Sequence, residues 1–194
     1  MESLHEAKLR GSAVYLRPLL PSDAQDLLAL RVRNRVSFAP FEPIATESHF
    51  TLEGQLAEID RALEDAQFDR RYAFGIFTIA EDRVAGRIAL SNVARGAWQN
   101  ATVGYYVDSA YANRGYATEA LRLVLRFAFV DAGLHRVQAG VLPENRASAR
   151  VLEKAGFRRE GISLRYLNIF GEWRDHLMYA ITVEEWDEKG PGYA

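Results

Sequence analysis

The sequence contains no cysteine among its 194 residues. This absence excludes disulfide bonds, a thiolate nucleophile and cysteine-ligated metal from the chemistry of the protein. No apolar run reaches the ~18 residues that a membrane-spanning helix needs. The opening stretch, MESLHEAKLRGS, lacks the apolar segment typical of a signal peptide. We therefore expect a cytoplasmic protein with no membrane partner.

Neither sign of charge is in marked excess. Lys and Arg number 24 against 26 Asp and Glu, so the net charge is −2. This balance gives no reason to expect direct binding of nucleic acid. The composition, 48% hydrophobic and 26% charged, is that of a globular protein. The length fits one domain over residues 1–194.

The hydrophobic pattern predicts strands and helices in alternating groups. Helices are predicted over 23–33 after a Ser22 cap, over 52–63, from about 118 to 132, and from Asn145 to Gly156. The segment 34–50 between the first two helices is predicted to be a shaped loop. Strands are predicted over 13–19, 72–80, 84–95, 101–108, 135–142, 157–170 and 172–183. This order predicts an α/β (α+β) fold with a mixed, partly antiparallel sheet flanked by helices.

The joint between strand 101–108 and the next helix carries YANRGYATEA, residues 111–120, with no acidic residue before Glu119. The first N–H groups of a helix have no partner within it, and the helix dipole adds partial positive charge there. Gly115 lets the backbone approach an anion closely, and Arg114 adds a positive charge. The joint therefore predicts a phosphate site, with a simple tight turn at Gly115 as the alternative.

Residues 103–157 resemble the core of the GNAT superfamily of acyl-CoA-dependent N-acyltransferases. The family's phosphate loop, [QR]-x-x-G-x-[GA], aligns on Gly115 and Ala117, with Ala112 replacing its first residue. PENRASARVLEKAGF, residues 143–157, is similar to the family's next helix. From about 13 to 186 the chain further resembles the RimJ/RimL-type ribosomal-protein N-terminal acetyltransferases, in particular RimJ. The stretches that carry this likeness include FEP (41–43), ESH (47–49), SNV (91–93) and GEWRDH (171–176).

The resemblance implies acetyl-CoA as the acetyl donor and no metal. A splay between strands 101–108 and 135–142 would admit the cosubstrate, with its pantetheine arm beside residues 105–107. A backbone N–H at Tyr106 or Val107 would polarise the thioester carbonyl. The residues implied to bind the cosubstrate are Tyr106, Val107, Asn113, Arg114, Gly115, Tyr116, Ala117, Thr118, Asn145 and Ser148.

Without cysteine, direct attack by the acceptor amine is the simplest mechanism. A peptide α-amine has a pKa of about 7.7–8.0, against about 10.4 for Lys. At pH ~7.4 roughly a quarter of the former is neutral, but only about a thousandth of the latter. An N-terminal acetyltransferase therefore needs only a weak base or a water relay.

Several side chains are candidates for the proton transfers. Glu42, Glu47 and His49 are candidate bases, each with a solvated or surface role as the alternative. Ser148 is predicted to protonate the leaving thiolate, unless it is an ordinary first-turn serine. Tyr166 is a second candidate acid, with a core position as the alternative. His135 and His176 have no partner at metal-binding spacing, and surface or strand roles are predicted for them.

Three functions remain open at this point. The first is acetylation of the N-terminal α-amine, on Ala or Ser, of a ribosomal protein. The second is acetylation of a small amine such as a polyamine, an aminoglycoside or an amino acid derivative. The third is a module that binds acyl-CoA without catalysis. A monomer and a homodimer are both compatible with the sequence.

Overall fold

The computed structural model describes residues 8–186. Residues 1–7 and 187–194 lie outside the described part. The expectation for the opening stretch, residues 1–12, and the expectation of one domain over residues 1–194 both extend into them. Residues 8–186 form an eight-stranded sheet in the order β1-β2-β3-β4-β5-β6-β8-β7. All neighbouring strands are antiparallel except β5 and β6. The predicted mixed, mostly antiparallel sheet flanked by helices is confirmed.

The elements have the following bounds. The strands are β1 Leu9–Arg10, β2 Val14–Arg17, β3 Tyr72–Thr78, β4 Val84–Ala94, β5 Asn100–Val107, β6 Arg136–Val141, β7 Arg158–Ile169 and β8 Glu172–Thr182. The α-helices are α1 Ala24–Arg33, α2 Arg35–Phe38, α3 Leu52–Gln67, α4 Tyr116–Arg126 and α5 Arg146–Lys154. Short 3₁₀ turns lie at Pro21–Asp23, Ala39–Phe41, Glu47–Phe50 and Ser109–Tyr111, and a π-helical turn, Phe127–Asp131, continues α4.

The start of α1 differs from the prediction. The Ser22 cap is wrong, because Asp23 occupies the N-cap position and Ser22 lies inside a 3₁₀ turn. The Asp23 carboxylate accepts a hydrogen bond from the Leu20 N–H at 2.7 Å. It also pairs with both terminal nitrogens of Arg17, at 2.6 and 2.8 Å. These charge-assisted bonds hold the turn, and they leave no helix start at Ser22.

The two faces of the sheet pack against different helices. Side chains alternate between the faces of a strand, so Leu16 joins the core under α4 and α5, while Tyr15 joins the core under α1 and α3. On the inner face of α4, Leu121 and Val124 are fully buried. Each fully buried leucine stabilises the fold by roughly 1.5–3 kcal/mol.

The two central strands separate along part of their length. β5 and β6 pair only at Asn100/Arg136, Ala101/Val137 and Thr102/Gln138. Beyond these pairs β5 continues along β4, and β6 continues along β8. Residues 103–107 therefore have a strand partner on one side only. This is the splay that the family resemblance implied, and it leaves backbone groups of β5 available to bind an extended ligand.

Within residues 8–186 every helix is too short or too polar to span a membrane. The same residues contain no group of three or more His, Asp or Glu side chains placed to hold a metal ion.

Candidate active site

The loop before α4 exposes unpaired backbone N–H groups. Asn113 and Gly115 adopt left-handed conformations, with φ of +61° and +81°. Gly115 is the N-cap of α4, and no side chain caps the helix. Among the described residues we find no acceptor within hydrogen-bond distance of the N–H groups of residues 113–118. The predicted anion site at the helix N-terminus therefore has the required geometry.

Glu119, the first acidic residue of α4, is occupied elsewhere. Its carboxylate accepts hydrogen bonds from the backbone N–H groups of Ser12 and Ala13 and from the Ser12 hydroxyl. It therefore does not occupy the space in front of the helix. The guanidinium of Arg114 lies 5.4 Å from the ring centroid of Tyr111, at the edge of the same loop. Whether Arg114 compensates for Ala112 in the phosphate loop stays a prediction.

The helix α5 presents Ser148 to the splay. Asn145 caps this helix, because its side-chain oxygen accepts a hydrogen bond from the Ser148 N–H at 3.1 Å. Ser148 Oγ lies 3.0 Å from Tyr105 Oη, and Tyr105 Oη also donates to the Ser148 carbonyl at 3.2 Å. The hydroxyls of Ser148 and Tyr105 thus form a pair between α5 and β5.

Tyr105 is a site residue whose side chain the sequence reasoning missed. Burial raises the pKa of Tyr105 to about 12, although the hydrogen bond with Ser148 opposes the rise. The phenol is therefore a proton donor near neutral pH. The sequence signal for this residue was the alternation of side chains along β5, which places Tyr105 and Tyr106 on opposite faces of the sheet. The sequence could not show that α5 lies over the Tyr105 side.

Glu42 and Tyr106 lie across the sheet from Ser148. The Glu42 carboxylate forms a two-point ion pair with Arg31, at 2.9 and 2.8 Å. The Arg31 guanidinium is 5.0 Å from the ring centroid of Tyr106, and the ring of Phe38 is 5.3 Å from that of Tyr106. The Glu42 carbonyl accepts a hydrogen bond from the Phe170 N–H at 3.0 Å, which ties loop 34–50 to the turn between β7 and β8.

The other sequence-predicted residues form no hydrogen bond with Ser148 and contact other groups. Glu47 pairs with Arg35 at 2.5 Å, and both side chains are at least half exposed. His49 is exposed, with Nδ1 3.4 Å from Thr46 Oγ1. Tyr166 is half-buried on β7 and lies outside the two hydrophobic cores. The catalytic roles of Glu42, Ser148 and Tyr166 all stay predictions.

The ion pair of Glu42 leads to a prediction about stability. We expect Glu42→Ala to lower the free energy of unfolding by about 3–5 kcal/mol, because Arg31 would keep a buried charge without its partner. Only 7% of the Arg31 side chain is exposed. Chemical denaturation of the variant and the wild type measures the difference.

Glu47→Ala is the matched control for this prediction. Glu47 also pairs with an arginine, but its side chain is 81% exposed. A change within about 0.5 kcal/mol is expected there. An unchanged stability of Glu42→Ala would contradict a structural role. A rate loss that grows at low pH, in a stable variant, would instead support Glu42 as the base.

The match to a family model decides the class of the protein. The model of the acetyltransferase (GNAT) domain matches residues 13–158. The chain belongs to the GNAT acetyltransferase family. It is accordingly an N-acetyltransferase that uses acetyl-CoA, as the resemblance in the sequence indicated.

Individual GNAT proteins are similar to this chain over nearly its whole length. Probable N-acetyltransferase YjcK of Bacillus subtilis (strain 168) is 44% identical over 173 residues, covering 89% of this chain and 96% of YjcK. The [ribosomal protein uS5]-alanine N-acetyltransferase of Escherichia coli (strain K12) is 30% identical over 181 residues, or 93% of each chain. The structure of Mycobacterium smegmatis RimJ in complex with CoA-disulfide is similar with a TM-score of 0.86 and 34% identity, covering 92% of this chain and 87% of that one.

Proposed function

We propose that this N-acetyltransferase acetylates the N-terminal α-amine, on Ala or Ser, of a ribosomal protein. The support from comparison is the likeness to the uS5-alanine enzyme and to RimJ over more than nine-tenths of the chain. A ribosomal-protein substrate would also agree with the cytoplasmic location expected from the sequence.

The charges of loop 34–50 favour this acceptor over a polyamine or an aminoglycoside. A pocket for a polycation should present unpaired carboxylates. Glu42 and Glu47, the two glutamates of the loop, are instead paired with Arg31 and Arg35. The loop therefore offers little net negative charge to a polycation, and this favours an acceptor with a single amine.

The site residues support the following roles. The N–H groups of residues 113–118 would hold the pyrophosphate of acetyl-CoA, and the free side of residues 105–107 would hold its pantetheine arm. Asn145 caps α5 and so fixes Ser148 beside the splay. Because the single hydrogen of Tyr105 Oη is donated to the Ser148 carbonyl, Tyr105 Oη can accept from Ser148 Oγ and so orient the serine hydroxyl beside the splay. The serine would then give this proton to the departing sulfur.

The reaction balances without any further reactant. The neutral amine forms a C–N bond to the acetyl carbon, and the C–S bond breaks with its electron pair moving to sulfur. The thiolate takes the Ser148 proton, and a proton from the new amide nitrogen restores the hydroxyl. The products are the N-acetyl amide and the free thiol of CoA.

The test is thiol release from acetyl-CoA with two matched peptides. One begins with a free Ala or Ser, and the other has the same sequence with a blocked N-terminus and an internal Lys. We expect the first to react at least about 100-fold faster at pH ~7.4, since its neutral fraction is larger by about 250-fold. Equal rates, or activity confined to spermidine or an aminoglycoside tested in parallel, would reject the proposed acceptor.

A further inference from the structure

Two glycines face each other where β5 and β6 separate. The last paired residues are Thr102 and Gln138, and Gly104 and Gly140 come two positions later on their strands. Tyr105 contacts α5, so Gly104 points to the opposite face of the sheet. A Cβ added to Gly104 would meet no atom within 4 Å. The sheet is therefore open at this point.

Gly140 points to the same face as Gly104. Its neighbours Ala139 and Val141 are buried in the core under α4 and α5, so the alternation of β6 turns Gly140 away from that core. Gly104 and Gly140 therefore leave both strands without a side chain on the face opposite Ser148, and we name this pair the glycine window. An acceptor approaching from this face would reach the splay without passing a side chain on either strand.

His176 and Tyr166 border the glycine window. A Cβ on Gly140 would lie 3.2 Å from Cε1 of Tyr166 and 3.5 Å from Cδ2 of His176. The two rings contact each other edge to face, with centroids 5.5 Å apart. A bulge between Ser163 and Leu167 of β7 brings Tyr166 to this place.

The hydrogen bonding of His176 leaves one ring nitrogen unused. Only 3% of the residue is exposed. Nδ1 lies 3.0 Å from the Arg174 carbonyl, which can only accept, so Nδ1 carries a hydrogen. Nε2 forms no hydrogen bond with a described residue. In the neutral ring Nε2 therefore has a free lone pair beside the window.

We propose that His176 is the general base that takes a proton from the acceptor amine at the glycine window. This inference rests on the proposed function, because it needs an amine to enter from this face. The ammonium gives one proton to Nε2, and the resulting neutral amine attacks the acetyl carbon as described above. His176 then returns that proton to solvent. Both Glu42 oxygens, by contrast, are held by Arg31.

The surroundings of His176 favour this role. From β7 the neighbouring group is the Tyr166 phenol, and from β6 it is Gly140, which brings no charge. On β8 itself, the Arg174 side chain is paired with Glu144. No contact of the described residues places a carboxylate against the imidazole.

The test is His176→Asn, assayed between pH ~6.5 and ~9. The Asn side-chain nitrogen can replace Nδ1 and keep the bond to Arg174, while Nε2 is lost. We expect kcat/KM at pH ~6.5 to fall about 100-fold, within the range of general base catalysis. The loss should shrink towards pH ~9, because the α-amine is then neutral without help. His135→Asn is the matched control, since His135 is half exposed and pairs with Glu184. Its pH profile should be unchanged.

The outcomes separate this inference from the proposed acceptor. The acceptor is identified with the wild-type enzyme alone. The variants are then assayed with the amine that the wild type acetylates fastest. If kcat/KM of His176→Asn fell by the same factor at every pH, His176 would have a structural role. If kcat/KM did not fall, His176 would not be the general base. Either result would overturn the inference and leave the proposed function standing.

Discussion

Replacing Ser148 with Ala is expected to lower kcat about 100-fold and to leave the affinity for acetyl-CoA nearly unchanged. The magnitude is that of a lost general acid, and the thiolate would have to take its proton from water. Tyr105→Phe should lower kcat in the same direction but less, because Ser148 keeps its own proton and loses only its partner at 3.0 Å. Steady-state thiol release gives kcat, and titration calorimetry gives the affinity.

Ser91→Ala is the control for the loss of a serine hydroxyl. Ser91 donates a hydrogen bond to the Thr102 carbonyl at 3.2 Å and lies on β4, away from α5. Its kcat should stay close to that of the wild type. If Ser148→Ala weakened acetyl-CoA binding and left kcat intact, Ser148 would be a binding residue and not an acid.

Replacing Gly115 with Val is expected to weaken acetyl-CoA binding at least about 100-fold. A Cβ at Gly115 would meet no protein atom within 4 Å, so the side chain would enter the open space in front of the helix. That space is where the phosphates would contact the N–H groups. The φ of +81° is also unfavourable for a β-branched residue, and it would shift the loop.

Gly133→Val is the control that separates obstruction of the phosphate site from strain at a positive φ. Gly133 also has a positive φ, +61°, and also has no atom within 4 Å of an added Cβ, but it follows the other end of the α4 segment. Both variants should lose stability to a similar degree, and only Gly115→Val should lose acetyl-CoA binding. Equal binding by the two variants would reject the phosphate site at Gly115.

Local features of the chain were accessible from the sequence. The period of the apolar residues located the main strands and helices, because burial of one face imposes that period. Gly115 and the missing acidic cap indicated the helix start at which the anion site is predicted, since both act within a few residues of that start. The two-residue strand β1 was too short for its period to be detected, and the Ser22 cap failed because Arg17 and Leu20 bind Asp23.

The arrangement of the site depended on tertiary structure. Ser148 and Tyr105 are 43 residues apart, and only the packing of α5 on β5 brings their hydroxyls together. His176 borders the glycine window because of the register of β6 with β8 and the bulge in β7. Side chains alternate along a strand, so a shift of one residue would move each of them to the other face. The sequence by itself determined most of the strands and helices and indicated the family. The pairing of distant strands decided which side chains meet, because register is set between segments and not within them.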